Sequence, residues 1–235
     1  MMTAQAKKPS GVVFVLNCFV IILIFGLPIV LLGGNWLWLE GWLFGLWLVA
    51  MVLSNYVYLY RYDPALLAER SKRPGSDNQK GWDKYLSIVI LVLALAWLIL
   101  IPLDAQRFHW SPDFPVWLKA LGGLALMPAL YLIYRATVEN TFLSAMVRIQ
   151  TERKQHVIAT GVYGFVRHPL YLGCMLMLCG APLLLGSIAG LIIALGALLI
   201  LAGRIMGEER MLVDELEGYG EYRRKVRYRL IPWIW

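Results

Sequence analysis

Charge is scarce in this chain. Asp, Glu, Lys and Arg make up only 16% of its 235 residues against 60% hydrophobic residues, and the mean hydropathy is +0.64. A soluble domain of this length cannot hide so much apolar surface, so the surrounding solvent must be largely lipid. Cysteine is scarce too. Cys18, Cys174 and Cys179 all lie in apolar runs without a CxxC pair, which argues against a disulfide framework or a metal site and for small packing residues. The three histidines form no cluster, and no metal is expected. No period of roughly 20 to 50 residues repeats, which speaks against an inverted-repeat transporter. Charges in the middle of an apolar run would mark an ion path, and there are none.

What is present is a series of apolar runs. A hydrocarbon core of about 30 Å takes roughly 20 helical residues to cross. Six runs are read as spans: Val12 to about Leu32, Trp42 to about Tyr60, about Tyr85 to Leu103, about Val116 to Tyr134, and two within the uncharged stretch from Pro169 to Gly203. Lys119 and Arg135 near the ends of the fourth are expected to snorkel towards headgroups. The first run exceeds the h-region of a signal peptide and is expected to be retained. The uncharged stretch is 35 residues long, fewer than the roughly 40 that two full spans and a turn require. It predicts two short helices turning at Gly186-Ser187, with Pro182 bending or ending the first. Tilt and local bilayer thinning would accommodate the same shortfall. The fold expected is an all-α integral membrane protein with six transmembrane helices and a short C-terminal helical hairpin.

Basic residues orient these spans, because short loops rich in Lys and Arg stay in the cytoplasm. Lys7 and Lys8 precede the first span. Arg61, Arg70, Lys72, Arg73, Lys80 and Lys84 follow the second, Arg148, Arg153, Lys154 and Arg167 follow the fourth, and Arg210, Arg223, Arg224, Lys225, Arg227 and Arg229 follow the last. Both termini and both long loops are therefore assigned to the cytoplasm, and a prokaryotic plasma membrane is the expected location. The net charge of +7 is concentrated where anionic headgroups lie and needs no nucleic acid to explain it. Residues 1–138 read as four scaffold helices that also offer substrate access, and residues 139–235 as a catalytic region of loop, hairpin and tail.

The chemistry-bearing residues cluster at the two ends of the hairpin. If the uncharged stretch crosses and returns, its flanks emerge on one side of the bilayer and form one site. Before it comes the loop Val138 to Val166, dense in polar residues and long enough to act as a lid, and then Tyr163 and Arg167-His168-Pro169. Pro169 suits the first position of a helix, whose free N–H groups and positive dipole end favour an anion, with Arg167 beside them. Tyr171 offers a stacking face and a hydroxyl, and Gly173 a close approach to the backbone. After the hairpin come Arg204, Glu208 and Glu209, the first two four residues apart and so on one helix face. The bland alternative is a surface ion pair.

Gly161-x-Tyr163, Arg167-His168-Pro169-x-Tyr171-x-Gly173, the uncharged hairpin, Glu208-Glu209 and the tail Tyr219-x-x-Tyr222 with Val226 to Pro232 together resemble the isoprenylcysteine carboxyl methyltransferase family, and more distantly the phospholipid methyltransferases. The resemblance runs from about Asn140 to the C-terminus. It implies an S-adenosylmethionine site facing the cytoplasm, with Tyr163, Arg167, His168, Pro169, Tyr171, Gly173, Glu208 and Glu209 binding the cofactor. It also implies that Arg204 handles a substrate carboxylate, as a bidentate clamp. Val162 stands where the family often has proline. The acceptor is expected to be a lipophilic small molecule or a lipidated substrate reaching the site from the bilayer. An amine acceptor, as in phospholipid methylation, would need a base, for which His168 and Glu139 are the candidates. From another class comes a non-catalytic membrane scaffold or lipid-binding protein.

Overall fold

The computed structural model describes residues 10–76 and 78–235, so Lys7 and Lys8 lie outside the described residues. The described residues contain helices and no strand. Helix α1 spans Gly11–Gly33, α2 Leu39–Tyr62, the short α3 Pro64–Arg70, and α4 Gly81–Pro102 with a π-turn Leu103–Arg107 at its end. Helices α5 (Val116–Glu139), α6 (Pro169–Leu185), α7 (Ile188–Glu215) and α8 (Tyr219–Lys225) follow. Helices α1, α2, α4, α5 and α7 are long and apolar enough to cross a membrane. Helix α6 is equally apolar but has 17 residues, about 25 Å at 1.5 Å per residue.

The hairpin forms where the sequence places it, with one correction. Gly186 closes α6 in the left-handed conformation (φ 83°), where glycine meets no Cβ penalty. Ser187 then caps α7 by accepting from the N–H of Gly190. Helix α7, however, is not short. Nothing in Arg204-Ile205-Met206-Gly207-Glu208-Glu209 breaks a helix, so α7 runs on to Glu215 for 28 residues, about 42 Å in all. The polar residues therefore lie along its side, level with the start of α6.

The apolar core joins α2, α4, α5, α6 and α7 through Phe44, Trp97, Ile101, Leu126, Leu178, Ala181 and Leu201. Two indoles tie neighbouring helices, Trp47 donating to the carbonyl of Leu126 at 3.0 Å and Trp97 to that of Leu178 at 3.3 Å. Helices α5 and α6 approach closely because glycine faces glycine: a Cβ on Gly122 would lie 2.4 Å from the nitrogen of Leu184 and 2.6 Å from the carbonyl oxygen of Gly180. At the hairpin tip, buried Asp104 accepts from Ser111 (2.7 Å), Ser187 (2.6 Å) and the N–H of Ala189 (3.1 Å). This pins the tip to the end of α4 and serves the free N–H groups of α7.

At the opposite end a second small core of Val147, Ile149, Met211, Leu212, Tyr219, Tyr222 and Val226 packs the long loop and the tail over the ends of the helices. Arg148 in the loop is buried. Its Nε and Nη2 donate to Glu69 at 2.8 and 2.9 Å, and its Nη1 to Asn78 at 2.9 Å. Burial alone would raise the Glu69 carboxyl, but the hydrogen bonds from Arg148 and Lys72 overcome it and hold Glu69 at about 2. The hydrogen bonds that Arg148 donates to Glu69 raise Arg148 in turn.

Candidate active site

Under this cap lies a cleft, a concave site of the kind in which small ligands bind. Its wall includes Tyr163, Arg167, His168, Pro169 and Tyr171 before the hairpin and Arg204 and Glu208 after it. The topology thus brings together seven of the nine residues singled out in the sequence.

The start of α6 is held by the tail. The N–H groups of Arg167 and His168 donate to the carbonyls of Tyr228 and Arg229, each at 3.0 Å, so Val226 to Arg229 lies alongside the turn into the helix. Glu209 locks this junction. It is 3% exposed and accepts from Arg167 Nε at 2.5 Å and Arg229 Nε at 2.7 Å, with His168 Nε2 at 3.3 Å. Arg167 also donates to the carbonyls of Val226 and Arg227. Arg167 and Glu209 therefore spend their charges on each other and on the tail. Glu209 does not line the cleft, and Gly173 does not line it either. A Cβ on Gly173 would lie 2.7 Å from Ile133 and 3.1 Å from the carbonyl oxygen of Ala129, which makes it a packing residue against α5. The approach that needs its missing side chain is that of a helix.

Glu208 and Arg204 do not pair with each other. Glu208 accepts from the hydroxyl of Tyr171 at 2.8 Å. Arg204 turns to Asp83 in the first turn of α4, with Nε to Oδ1 at 2.8 Å and Nη2 to Oδ2 at 3.4 Å, and Nη2 reaches the carbonyl of Ala145 at 2.7 Å. The Nε–Nη2 edge of the guanidinium is thus already occupied, which leaves Nη1 for any contact with a substrate. Glu139, a candidate base, is committed as well: it receives the N–H of Val162 at 2.7 Å and pairs with Arg135.

The tyrosines divide between frame and cavity. Tyr222 donates to the carbonyl of Tyr163 at 2.7 Å, and Tyr163 is bridged to Asn140 at 3.3 Å. Tyr219 lines the cleft, is 5% exposed, and its hydroxyl has no hydrogen-bond partner among the described residues. Burial, reinforced by the charges of Glu209 and Glu208, raises the Tyr219 phenol, so it stays protonated and is a donor. Asp83 and Glu69 were missed as site supports because each is a single acid in a stretch without a motif. Asp83 gave one usable signal, since an acid at the lip of an apolar helix calls for a cation in the fold. Among the described residues no group of three or more His, Cys, Asp or Glu side chains is arranged to hold a metal ion.

Comparison with known proteins adds an independent line. A model of the isoprenylcysteine carboxyl methyltransferase (ICMT) family matches residues 123–214. The protein-S-isoprenylcysteine O-methyltransferase of Saccharomyces cerevisiae is 30% identical over 190 residues, covering 78% of this chain and 77% of its own. Its counterpart in Schizosaccharomyces pombe is 34% identical over 111 residues, 46% of each chain, so the match spans just under half of that relative. The solved structure of a eukaryotic intramembrane Ras methyltransferase ICMT superposes with a TM-score of 0.52 over 93% of this chain and 73% of that one, at 19% identity. The fold is shared at that distance.

Proposed function

The chain belongs to the isoprenylcysteine carboxyl methyltransferase family, and on that premise we propose that it is a membrane methyltransferase using S-adenosylmethionine to esterify the carboxylate of an isoprenylcysteine or similar amphiphilic acid. The observation that carries this reading is the cleft where the start of α6, the Arg204–Glu208 face of α7 and Tyr219 converge. In this reading α6 is a sixth, short span, an even number leaves both termini on one side with the cleft, and that side is the cytoplasm. The basic loops support that orientation. The two fungal relatives give no support to a specifically prokaryotic membrane.

The donor set of the cleft suits the cofactor. Glu208 is a carboxylate with lone pairs to spare for ribose hydroxyls or an ammonium, and Tyr219 holds a buried hydroxyl that the protein leaves without a partner. The first-turn N–H groups of α6, with Pro169, Leu170 and Tyr171 in the wall, favour the carboxylate end. Arg167 and His168 in the wall and Glu209 behind it fix the turn that presents those groups. When bound, S-adenosylmethionine supplies an electrophilic methyl on a sulfonium, which an ionised carboxylate takes without a base. The chain's own work is positioning and exclusion of water.

The direct test is calorimetric binding of S-adenosylmethionine to the protein in detergent or lipid, beside Glu208→Gln and Tyr219→Phe. Binding by the wild type, weakened roughly tenfold by Glu208→Gln and several-fold by Tyr219→Phe, is expected, since a hydrogen bond to a charged group contributes about 1.5–3 kcal/mol and a neutral one about 0.5–1.5 kcal/mol. The melting temperature of Tyr219→Phe should not fall, because no protein contact is lost. Absence of binding by the wild type sinks the reading.

One observation favours an amine acceptor as second reading: the exposed His156 lines the cleft, packed edge-on against Phe142, and places an imidazole at its edge. A rate that rises through a deprotonation near neutral pH would select it; a rate flat above the carboxylic range selects the carboxylate.

A further inference from the structure

Asp83 lies outside the stretch matched by the family model, in a helix that otherwise reads as scaffold, and it is fully buried. Besides Arg204 it collects the N–H of Val147 at 2.8 Å, Gln79 Nε2 at 2.7 Å and Ser87 at 3.5 Å. Arg204 carries five N–H hydrogens. Those on Nε and Nη2 go to Asp83 and Ala145. Nη1 donates to no described group, and the residue lines the cleft. We propose that Asp83 is a positioning residue for methyl transfer: it takes the Nε–Nη2 edge of Arg204, leaves Nη1 alone to hold the acceptor carboxylate end-on, and offsets the guanidinium charge. The proposal rests on the methyltransferase reading.

The arrangement suits the chemistry in two ways. An end-on contact ties down one carboxylate oxygen and leaves the other with a free lone pair. That oxygen forms the new O–CH₃ bond as the S–CH₃ bond breaks, the bonding pair stays on sulfur, and no proton moves. The second reason is electrostatic. The acceptor enters as an anion and leaves as a neutral ester, so its attraction to a cation fades along the reaction. A full, uncompensated Arg204 would stabilise the bound acid more than the transition state, tightening binding while slowing the reaction. The buried carboxylate of Asp83 reduces that imbalance and keeps the guanidinium aimed.

Kinetics of Asp83→Asn separate this role from a merely structural one. The probe is N-acetyl-S-farnesyl-cysteine, with S-adenosylmethionine binding measured separately. With the side chain's shape kept and its charge removed, kcat should fall about tenfold while the acceptor KM stays level or falls, and donor affinity should change by less than about threefold. A structural lesion would raise both KM values and weaken donor binding; that outcome, or unchanged kcat, overturns the proposal. If Asp83→Asn does not fold, the paired variant Asp83→Asn/Arg204→Gln leaves no unpaired buried charge. It should raise the acceptor KM more than tenfold with donor affinity retained, and an unchanged acceptor KM overturns the proposal. Donor binding without methylation of the probe by the wild type also overturns it, whereas absence of donor binding defeats the methyltransferase reading itself.

Discussion

Glu69 and Arg148 form a fully desolvated pair that holds the loop over the cleft, and its behaviour with pH follows from the shift of the acid. The carboxyl sits at about 2 in the folded protein against 4.5 ordinarily, so the pair's contribution is complete above about 4.5 and is lost as pH falls towards 2. Melting curves in detergent across that range should show the wild type losing stability, while Glu69→Gln starts lower by roughly 1–3 kcal/mol, the cost of a lost hydrogen bond to a charged group, since Glu152 and Asn78 still hold Arg148, and lacks that part of the slope. Parallel curves would remove the pair from the account. Legibility at this scale divides by motif. The residues around His168 and the Glu pair could be read because their order along the chain carries a resemblance and the uncharged hairpin forces them together. Their division of labour could not. Arg167 and Glu209 look like binding groups in sequence and become a buried lock, since only the fold shows that tail carbonyls and Arg229 saturate them. Asp83 signalled only that it needed a cation, not which one, as its partner is 121 residues away.

Among the elements, the pairing of α5 with α6 sets the floor of the site. Gly122→Ala puts a methyl group against backbone atoms of α6 that cannot turn aside, so the two helices must part. A cost of about 1–3 kcal/mol is expected, the usual figure for overpacking, visible as a lower melting temperature. Gly196→Ala on α7, where a Cβ meets nothing within 4 Å, should leave stability unchanged. Equal effects would mean that the close approach is not what fixes α6. The apolar helices themselves were legible, since run length located the five that are long enough to cross a membrane and Gly186-Ser187 the end of the shorter α6. The length of α7 was not, because the loss of hydropathy at Arg204 resembles the end of a helix when only the bilayer is considered. Partners outside the bilayer carry it onward: Met211 and Leu212 have a core of their own in the cap.

Over the whole molecule, the cleft is lined by residues from Asn140 onward but braced by both halves of the chain. The N-terminal half supplies Asp83 and Glu69, and the tail supplies Tyr219, Arg229 and the carbonyls that hold Arg167. A division near residue 138 therefore follows the motifs more than the packing, which is densest between α5 and α6 on either side of it. Arg229→Ala removes one of the partners of Glu209 and should weaken donor binding several-fold with little change in helix content by circular dichroism. Retained affinity would show that the tail is mere cover.

That dependence on the tail has a consequence in time. Synthesis runs from α1 onward, and every apolar helix is made before residues 219–229. A chain paused after α7 would have its helices in the bilayer and its Arg204 and Glu208 on them, yet the turn at His168 would lack the tail that holds it and the wall would be open on one side. Insertion and competence to bind are therefore separate events, and the nascent protein stays silent on the ribosome until its last turn docks.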